Sequence, residues 1–153
     1  MYLSAQSIPR TIVTPFEDRK IIHPCGMSSG LSACGYDVRI AQTVTVVPGG
    51  FALASTVERF AMPDDLTGLV RDKSTLARLG MQVFNTVIEP GWYGYLTLEL
   101  ANHGLTTITL QAGQPIAQVM FARLDQPTDR PYRGKYQDQE NRPVEAIMED
   151  VRT

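Results

Sequence analysis

The sequence predicts a mainly β protein, a sandwich or barrel with only short helices. Apolar segments of strand length alternate with turn signals such as Pro48-Gly49-Gly50, a spacing typical of successive antiparallel strands. Helical signal is limited to the residues after Ser4 and to a turn or two beginning at Ser74. The predicted strands are Thr43 to Val47, Phe51 to Val57, Tyr95 to Ala101, Thr106 to Leu110 and Ile116 to Leu124, with another ending at Leu69-Val70.

One β domain should extend over residues 1–124, followed by a C-terminal tail at 125–153. The chain has 153 residues, and a domain of this size buries roughly 70% of its unfolded surface, enough for an independent core. The tail is rich in Gln, Asp, Arg and Pro and has little periodicity, so we expect it to be mobile until something orders it. A solvated terminus without a role is the alternative.

Charge and composition limit the classes of partner. The net charge is −2 and charged residues make up 20% of the chain, so a general nucleic-acid-binding surface is not expected. An anionic ligand must be held locally, and two basic clusters could converge on one phosphate group. The first cluster consists of Arg71, Lys73 and Arg78, and the second consists of Arg130, Arg133 and Lys135.

The two cysteines and the N-terminus indicate a soluble protein of the cytoplasm. Cys25 and Cys34 lack a Cys-x-x-Cys partner and a histidine at ligand spacing, which argues against a structural zinc site or a disulfide framework. We expect both to be reduced thiols. The N-terminus has no basic region followed by an apolar run, and no stretch approaches the roughly 20 apolar residues of a membrane span.

Glu99 is a carboxylate on a predicted strand, within a stretch from Arg71 to Leu100 that has the character of an active site. In the segment YLTLEL leucines alternate with other residues, the period-two pattern of a strand with one apolar face. Glu99 should therefore project from the face opposite the leucines. Taken alone, an outward Glu on a strand is usually a solvated residue.

A polar turn precedes this strand. Ser74 is placed to cap a short helix, and amides at a helix start attract phosphate. Arg78 follows four residues later on the same helical face, while Lys73 and Thr75 add a charge and a hydroxyl. The turn thus offers phosphate donors and a small hydroxyl together; an ordinary capped helix with solvated side chains is the alternative.

Other polar residues have structural as well as functional explanations. Glu89 lies in the turn that leads to the Glu99 strand, so the two carboxylates could have different proton affinities and roles. Trp92 in the same turn could simply fill core. Asp37 and Gln118 interrupt apolar segments and could be buried and hydrogen-bonded.

Four segments of the chain, KSTLARLG, NTVIEPGWYGYLTLEL, AGQPIAQVMF and RPYRGKYQDQ, resemble in order and spacing those of the dCTP deaminases of the dUTPase-like superfamily. The resemblance extends from about Met1 to Gln139. It implies a β-clip fold, a distorted and largely antiparallel barrel or sandwich, assembled as a homotrimer with active sites built from neighbouring subunits. It also implies hydrolytic deamination of dCTP to dUTP and ammonia.

The resemblance assigns roles residue by residue. Glu99 matches the catalytic glutamate, Ser74 the serine that helps to place the water, and Arg78 the arginine beside them. Glu89 matches an acidic residue near the deoxyribose 3'-hydroxyl, and the tail would close over the triphosphate. The implied substrate-binding residues are Lys73, Thr75, Glu89, Tyr132, Lys135 and Gln139, to which we add Trp92 and Gln118 as candidates.

The chemistry of the proposed reaction is consistent with a glutamate and no zinc. Water is a poor nucleophile towards cytosine C4 until a base removes its proton, and the leaving amine needs a proton in return. Zinc-dependent deaminases carry His-x-Glu and Pro-Cys-x-x-Cys motifs, which this chain lacks. The expected metal is Mg²⁺ bound through the triphosphate. The open alternatives are a bifunctional deaminase and dUTPase, a dUTPase releasing pyrophosphate, and a non-catalytic nucleotide-binding trimer.

Overall fold

Short antiparallel strands make up most of the computed structural model, which describes residues 1–149. The helices are a 3-10 turn, η1 (Ala5–Ser7), and one α-helical turn, α1 (Ser74–Ala77). No helix within residues 1–149 is long and apolar enough to span a bilayer. The strands are β1 (Val13–Thr14), β2 (Lys20–Ile22), β3 (Ser28–Ser32), β4 (Gly35–Arg39), β5 (Val44–Val46), β6 (Phe51–Ala61), β7 (Leu66–Asp72), β8 (Met81–Val83), β9 (Val87–Ile88), β10 (Tyr93–Asn102), β11 (Ile108–Leu110) and β12 (Pro115–Arg123).

The strands form three antiparallel sheets. The first has the order β1-β6-β10-β8, the second pairs β11 with β5, and the third has the order β2-β3-β4-β12-β7-β9. The mainly β prediction is therefore confirmed, and each predicted strand is present within a few residues of its expected ends. The main difference is β6, which continues beyond Val57 to Ala61.

A buried ion pair accounts for the greater length of β6. Glu58 is fully buried, and its two carboxylate oxygens accept hydrogen bonds from the backbone amide of Arg39 at 2.9 Å and from its Nε at 2.7 Å. Burial nevertheless raises the pKa of Glu58. Because Arg39 on β4 satisfies this carboxylate, a charge that would normally end an apolar strand lies inside the molecule and joins two sheets.

A β-bulge in β10 decides which side chains face the functional region. The pairing between β10 and β6 shifts between Tyr95 and Thr97, so that Thr97 lies opposite Ser55 and Glu99 opposite Leu53. The backbone N–H of Leu96 at the bulge donates to the hydroxyl of the buried Thr56 at 3.1 Å. That hydroxyl therefore satisfies an amide that the bulge removes from regular strand pairing.

Several residues of the predicted tail form hydrogen bonds with the β domain of the same chain. Gly94 forms a parallel bridge with Gln139. The amide of Tyr132 donates to the carbonyl of Pro90 at 2.8 Å, and that of Tyr95 to the carbonyl of Gln139 at 3.0 Å. These contacts join residues distant in sequence, so composition alone could not predict them. The last four residues of the predicted tail lie outside the described residues.

Candidate active site

One face of β10 and the tail enclose a cavity of about 440 Å³. Its walls come from β6, from the loop before β10, from β10 itself and from the tail. Most of the lining is apolar, and polar groups come from β10, from the segment before it and from the tail. The lining residues are Phe51, Leu53, Thr86, Val87, Ile88, Glu89, Trp92, Leu96, Thr97, Glu99, Tyr132, Tyr136, Gln139, Val144 and Ala146.

Glu99 presents an unpartnered carboxylate oxygen in this cavity. Its side chain is half-buried, and Oε2 is shielded from solvent without a hydrogen-bond partner among residues 1–149. Burial raises the pKa of Glu99, and a bond to its own backbone opposes this only in part. A carboxylate with these properties is suited to bind and deprotonate a small polar molecule such as water.

All three leucines of β10 are buried, as their alternation predicts, but only Leu96 also lines the cavity. Leu98 and Leu100 are buried in the core, on the face opposite Glu99, as predicted. Leu96 differs, because it lines the cavity together with Thr97 and Glu99. The bulge between Tyr95 and Thr97 interrupts the period-two alternation at this point. This position of Leu96 adds an apolar surface to the wall that carries the carboxylate.

Thr97 connects β10 to the tail, and the sequence analysis did not select it. Its hydroxyl donates to Oε1 of Gln139 at 3.1 Å and accepts the backbone N–H of Val144 at 3.1 Å. Thr97 precedes Glu99 by two residues on the same strand face, so the period-two pattern that singled out Glu99 also applied to Thr97. Its polar partners are distant in sequence, and a single-sequence pattern contains no signal for them.

The predicted residues of the turn and the tail meet at the cavity. Glu89 is exposed at the cavity wall, and the amide of Trp92 donates to its carbonyl at 3.1 Å, forming the predicted turn. The Trp92 ring is only 5% exposed, while its indole N–H donates to the carbonyl of Tyr136 at 2.6 Å. Both explanations of Trp92, core packing and site lining, therefore apply. Tyr132 and Gln139 line the same cavity.

Ser74 and Arg78 are not part of this cavity in a single chain. Both are exposed on α1 and just after it, and Nη1 of Arg78 donates to the backbone carbonyl of Ser74 at 3.1 Å. The shared face predicted for them is present. The predicted cap is wrong, because Lys73 occupies the N-cap position and no side chain caps the helix.

The remaining predicted substrate-binding residues also lie outside the cavity of their own chain. Lys73 donates from Nζ to the buried Asp37 at 2.7 Å, and Thr75 is exposed beside it on α1. Gln118 donates to the hydroxyl of Ser32 at 2.8 Å, which is the structural hydrogen bond considered for it from sequence. The ammonium of Lys135 lies over the ring of Tyr136, 5.3 Å from its centroid.

The electrostatic character of the cavity follows from these positions. No lysine or arginine of residues 1–149 lines it, so the two basic clusters do not converge there within one chain. The polar groups that line it are carboxylates, hydroxyls and an amide. Such oxygen donors suit Mg²⁺ carried by phosphates, whereas zinc prefers nitrogen and sulfur ligands.

Comparison with protein families gives a specific match. The family model for dCTP deaminase-like proteins matches residues 34–124. A dCTP deaminase of Campylobacter fetus is 34% identical over 96% of this chain and 96% of its own. A protein of Mycobacterium leprae named "dCTP deaminase, dUMP-forming" is 44% identical over 60% of this chain and 52% of its own.

Solved structures with a similar fold include dUTPases. The EIAV dUTPase superposes with a TM-score of 0.55 at 22% identity, covering 66% of this chain and 84% of the other. A phage phi11 dUTPase with a structural Mg(II) ion superposes with a TM-score of 0.56 at 18% identity, covering 65% and 83%. These neighbours identify the architecture as the dUTPase-like β-clip fold. Together with the matched segment that runs from Cys34 through the Glu99 strand, they place the chain in the dCTP deaminase-like family.

Proposed function

We propose that the protein catalyses the zinc-independent hydrolytic deamination of dCTP to dUTP and ammonia. The observation that carries the proposal is the buried Oε2 of Glu99, which has no hydrogen-bond partner among residues 1–149, in a cavity large enough for a nucleotide base and sugar. The family match through this strand supports the same reaction. A dUTPase has no need for a carboxylate at this position, because its reaction occurs at phosphorus.

Glu99 would serve as the general base and then as the proton carrier. Its carboxylate removes a proton from water, and the resulting hydroxide attacks C4 of cytosine. The same proton passes to N3, which leaves a tetrahedral adduct with a hydroxyl and an amino group on C4. Glu99 then takes the proton of the C4 hydroxyl and transfers it to the amino group, so that the C4–N bond breaks, ammonia leaves and the C4 carbonyl of uracil forms. The raised pKa of Glu99 suits both roles, since it strengthens the base and retains the proton after transfer.

The complete site would require a second copy of the chain. In the part of the chain that the structure describes, Oε2 of Glu99 has no hydrogen-bond partner, whereas Ser74 and Arg78 are exposed outside the cavity. In a homotrimer, Ser74 of a neighbouring copy would hold the water and Arg78 would orient Glu99. Basic side chains of that copy, with Thr75, would also supply the phosphate contacts that the cavity lacks.

The tail and the sugar contacts would complete substrate binding. Tyr132 and Gln139 already lie at the cavity, and Lys135 lies beside Tyr136 at its edge, so closure of the tail over the triphosphate requires no large rearrangement. Glu89 would contact the deoxyribose 3'-hydroxyl. Mg²⁺ would be held mainly by the triphosphate and water, where it neutralises phosphate charge.

Hydrolysis of dUTP to dUMP and pyrophosphate is a second candidate activity. The exposed carboxylate of Glu89 lines the same cavity as Glu99, so a second water could be activated at the other end of the nucleotide. The relative named dUMP-forming supports this reading. A bifunctional enzyme would release ammonia and pyrophosphate from dCTP in equal amounts.

Product analysis distinguishes these functions. The purified protein is incubated with Mg²⁺ and dCTP, dCMP, CTP or dUTP, and ammonia, dUTP, dUMP and pyrophosphate are measured. Ammonia and dUTP from dCTP alone support the deaminase, and pyrophosphate supports the bifunctional enzyme or a dUTPase. Absence of turnover with all four nucleotides, despite binding, would refute the enzymatic proposal and favour a binding protein.

The variant Glu99→Gln tests the general base. Glutamine keeps the shape of the side chain but cannot accept the proton of water, so we expect ammonia release to fall by at least about 100-fold while the dissociation constant of dCTP changes little. Glu140→Gln is the matched control, because it makes the same chemical change at an exposed residue of the tail. Gln118 is not suitable for a control substitution, because its side chain forms a structural hydrogen bond with Ser32. Ammonia release by Glu99→Gln at the wild-type rate would exclude Glu99 as the base.

A further inference from the structure

The tail reaches the cavity through a strained turn at Asp138. Asp138 has a φ of 57°, the only positive value at a non-glycine residue within residues 1–149. Its amide donates to the carbonyl of Tyr93 at 2.9 Å, and the next residue, Gln139, accepts the amide of Tyr95 at 3.0 Å. This left-handed turn places the Gln139 side chain within hydrogen-bonding distance of Thr97 inside the cavity.

Gly94 allows the tail to approach β10 this closely. A Cβ atom at Gly94 would lie 2.6 Å from the backbone nitrogen of Gln139, and the φ of Gly94 is itself +139°. The two residues form a parallel bridge. The contact is therefore a specific docking of two backbones and not a loose covering of the surface.

Arg59 holds this turn from the outer side of the sheet. It lies on β6 opposite Tyr95, and its Nη2 is 3.3 Å from Oδ1 of Asp138. Its guanidinium also lies over the ring of Tyr93, 5.3 Å from the centroid. Of these contacts, the Arg59–Asp138 pair joins the sheet to the tail and must break before the tail can leave β10.

We infer that Arg59 and Asp138 form a latch that keeps the tail docked at the cavity and thereby controls how often it opens to release a bound nucleotide. Both act as positioning residues for Gln139. The identity of the bound nucleotide rests on the proposed function, whereas the docking of the tail is independent of it. Because the two side chains are 40% and 67% exposed, the pair should be weak, and its loss should raise tail opening by about 1.5- to 5-fold.

Tail docking can be measured without turnover. The chain has a single tryptophan, Trp92, whose indole bonds to the tail carbonyl of Tyr136. Its emission and the hydrogen exchange of the Tyr95 amide therefore report the open fraction directly. The variants Arg59→Gln and Asp138→Asn each remove the ion pair, and asparagine retains tolerance for the left-handed turn.

We expect both single variants to accelerate exchange at Tyr95 by about 1.5- to 5-fold and to shift Trp92 emission to longer wavelength. The double variant should resemble either single one, because the pair is already lost. Arg59→Lys should restore most of the protection, and Asp138→Ala should open the tail more than Asp138→Asn. Arg142→Gln, which removes the exposed Arg142–Glu140 pair inside the tail, is the matched control.

Nucleotide release provides the second measurement. In the Glu99→Gln background, dissociation of dCTP with Mg²⁺ should be faster by the same factor when Arg59→Gln is added. The latch is refuted if the Tyr95 amide exchanges in Arg59→Gln and Asp138→Asn at the same rate as in Arg142→Gln. It is also refuted if the effects of the two substitutions on this exchange add in the double variant. Altered exchange at Tyr95 in a protein that does not bind dCTP would support the latch and refute the proposed substrate.

Discussion

At the scale of single residues, the carboxylates of the buried Glu58 and the half-buried Glu99 differ in their partners. Glu58 accepts two hydrogen bonds from Arg39, so its burial is compensated within the fold. Oε2 of Glu99 has no such partner within residues 1–149, and an unsatisfied buried oxygen costs roughly 1 to 3 kcal/mol in proteins generally. A fold that retains this cost at the wall of a cavity is consistent with a group reserved for substrate and water.

The raised pKa of Glu99 predicts a pH-dependent cost to stability. A carboxyl with a higher pKa in the folded than in the unfolded state favours folding most when it is protonated, and this advantage is lost as the pH rises through the folded pKa. We therefore expect Glu99→Gln to gain stability relative to wild type as the pH rises above the ordinary Glu pKa of about 4.3. Urea unfolding across this range measures the difference, and a difference independent of pH would contradict the raised pKa.

At the scale of elements, the bulge in β10 aligns the polar wall of the site. It turns Leu96 towards the cavity and aligns Thr97 and Glu99 on the same wall. Thr56 supports the bulge from β6, since its hydroxyl accepts the Leu96 amide and donates to the carbonyl of Glu58 at 2.7 Å. A buried hydroxyl in the core thus supports the strand geometry that positions Glu99, the proposed general base.

Replacing Thr56 tests this support. Thr56→Val keeps the shape of the side chain but leaves the Leu96 amide without its acceptor, so we expect a loss of about 1 to 3 kcal/mol in the free energy of unfolding and a lower kcat. Thr56→Ser keeps the hydroxyl and serves as the control, with kcat close to wild type. Denaturant unfolding and steady-state kinetics measure both effects. Equal kcat values for Thr56→Val and wild type would show that the bulge keeps its geometry without this bond.

The elements that sequence predicted are those whose pattern is local. The alternation in β10 and the turn signals before and after each strand depend on neighbouring residues, so the sequence alone could predict them. The position of Glu99 on its strand could be predicted for the same reason. The extension of β6 depends on Arg39, and the order in the tail depends on Gly94 and the start of β10. Both are long-range interactions, which a single sequence does not reveal.

The difference between local patterns and long-range contacts also explains which residues of the candidate site were predicted and which were missed. Glu89 and Gln139 were selected from family resemblance, Trp92 was added as a separate candidate, and all three line one cavity in the structure. Thr97 and Val144 were missed because their roles depend on contacts between β10 and the tail. The cap expected from Ser74 failed for a local reason, because the helix begins at Ser74 itself with Lys73 as its N-cap.

At the scale of the whole molecule, the candidate catalytic groups are divided between two surfaces of one chain. Glu99 faces the cavity, whereas Ser74 and Arg78 are exposed at α1. No basic residue within 1–149 lines the cavity, although the proposed substrate carries a triphosphate. A symmetric oligomer would solve both problems at once if α1 of one copy lay at the cavity of the next.

Complementation between inactive variants tests this arrangement. Glu99→Gln and Arg78→Ala should each be inactive alone, but a trimer containing both has sites where intact Glu99 of one copy meets intact Arg78 of another. After unfolding and refolding an equimolar mixture, random assembly should restore activity at about a quarter of the sites. Mixing without refolding is the control for exchange of subunits. If the refolded mixture stays inactive while light scattering shows mixed oligomers, Glu99 and Arg78 do not meet between copies.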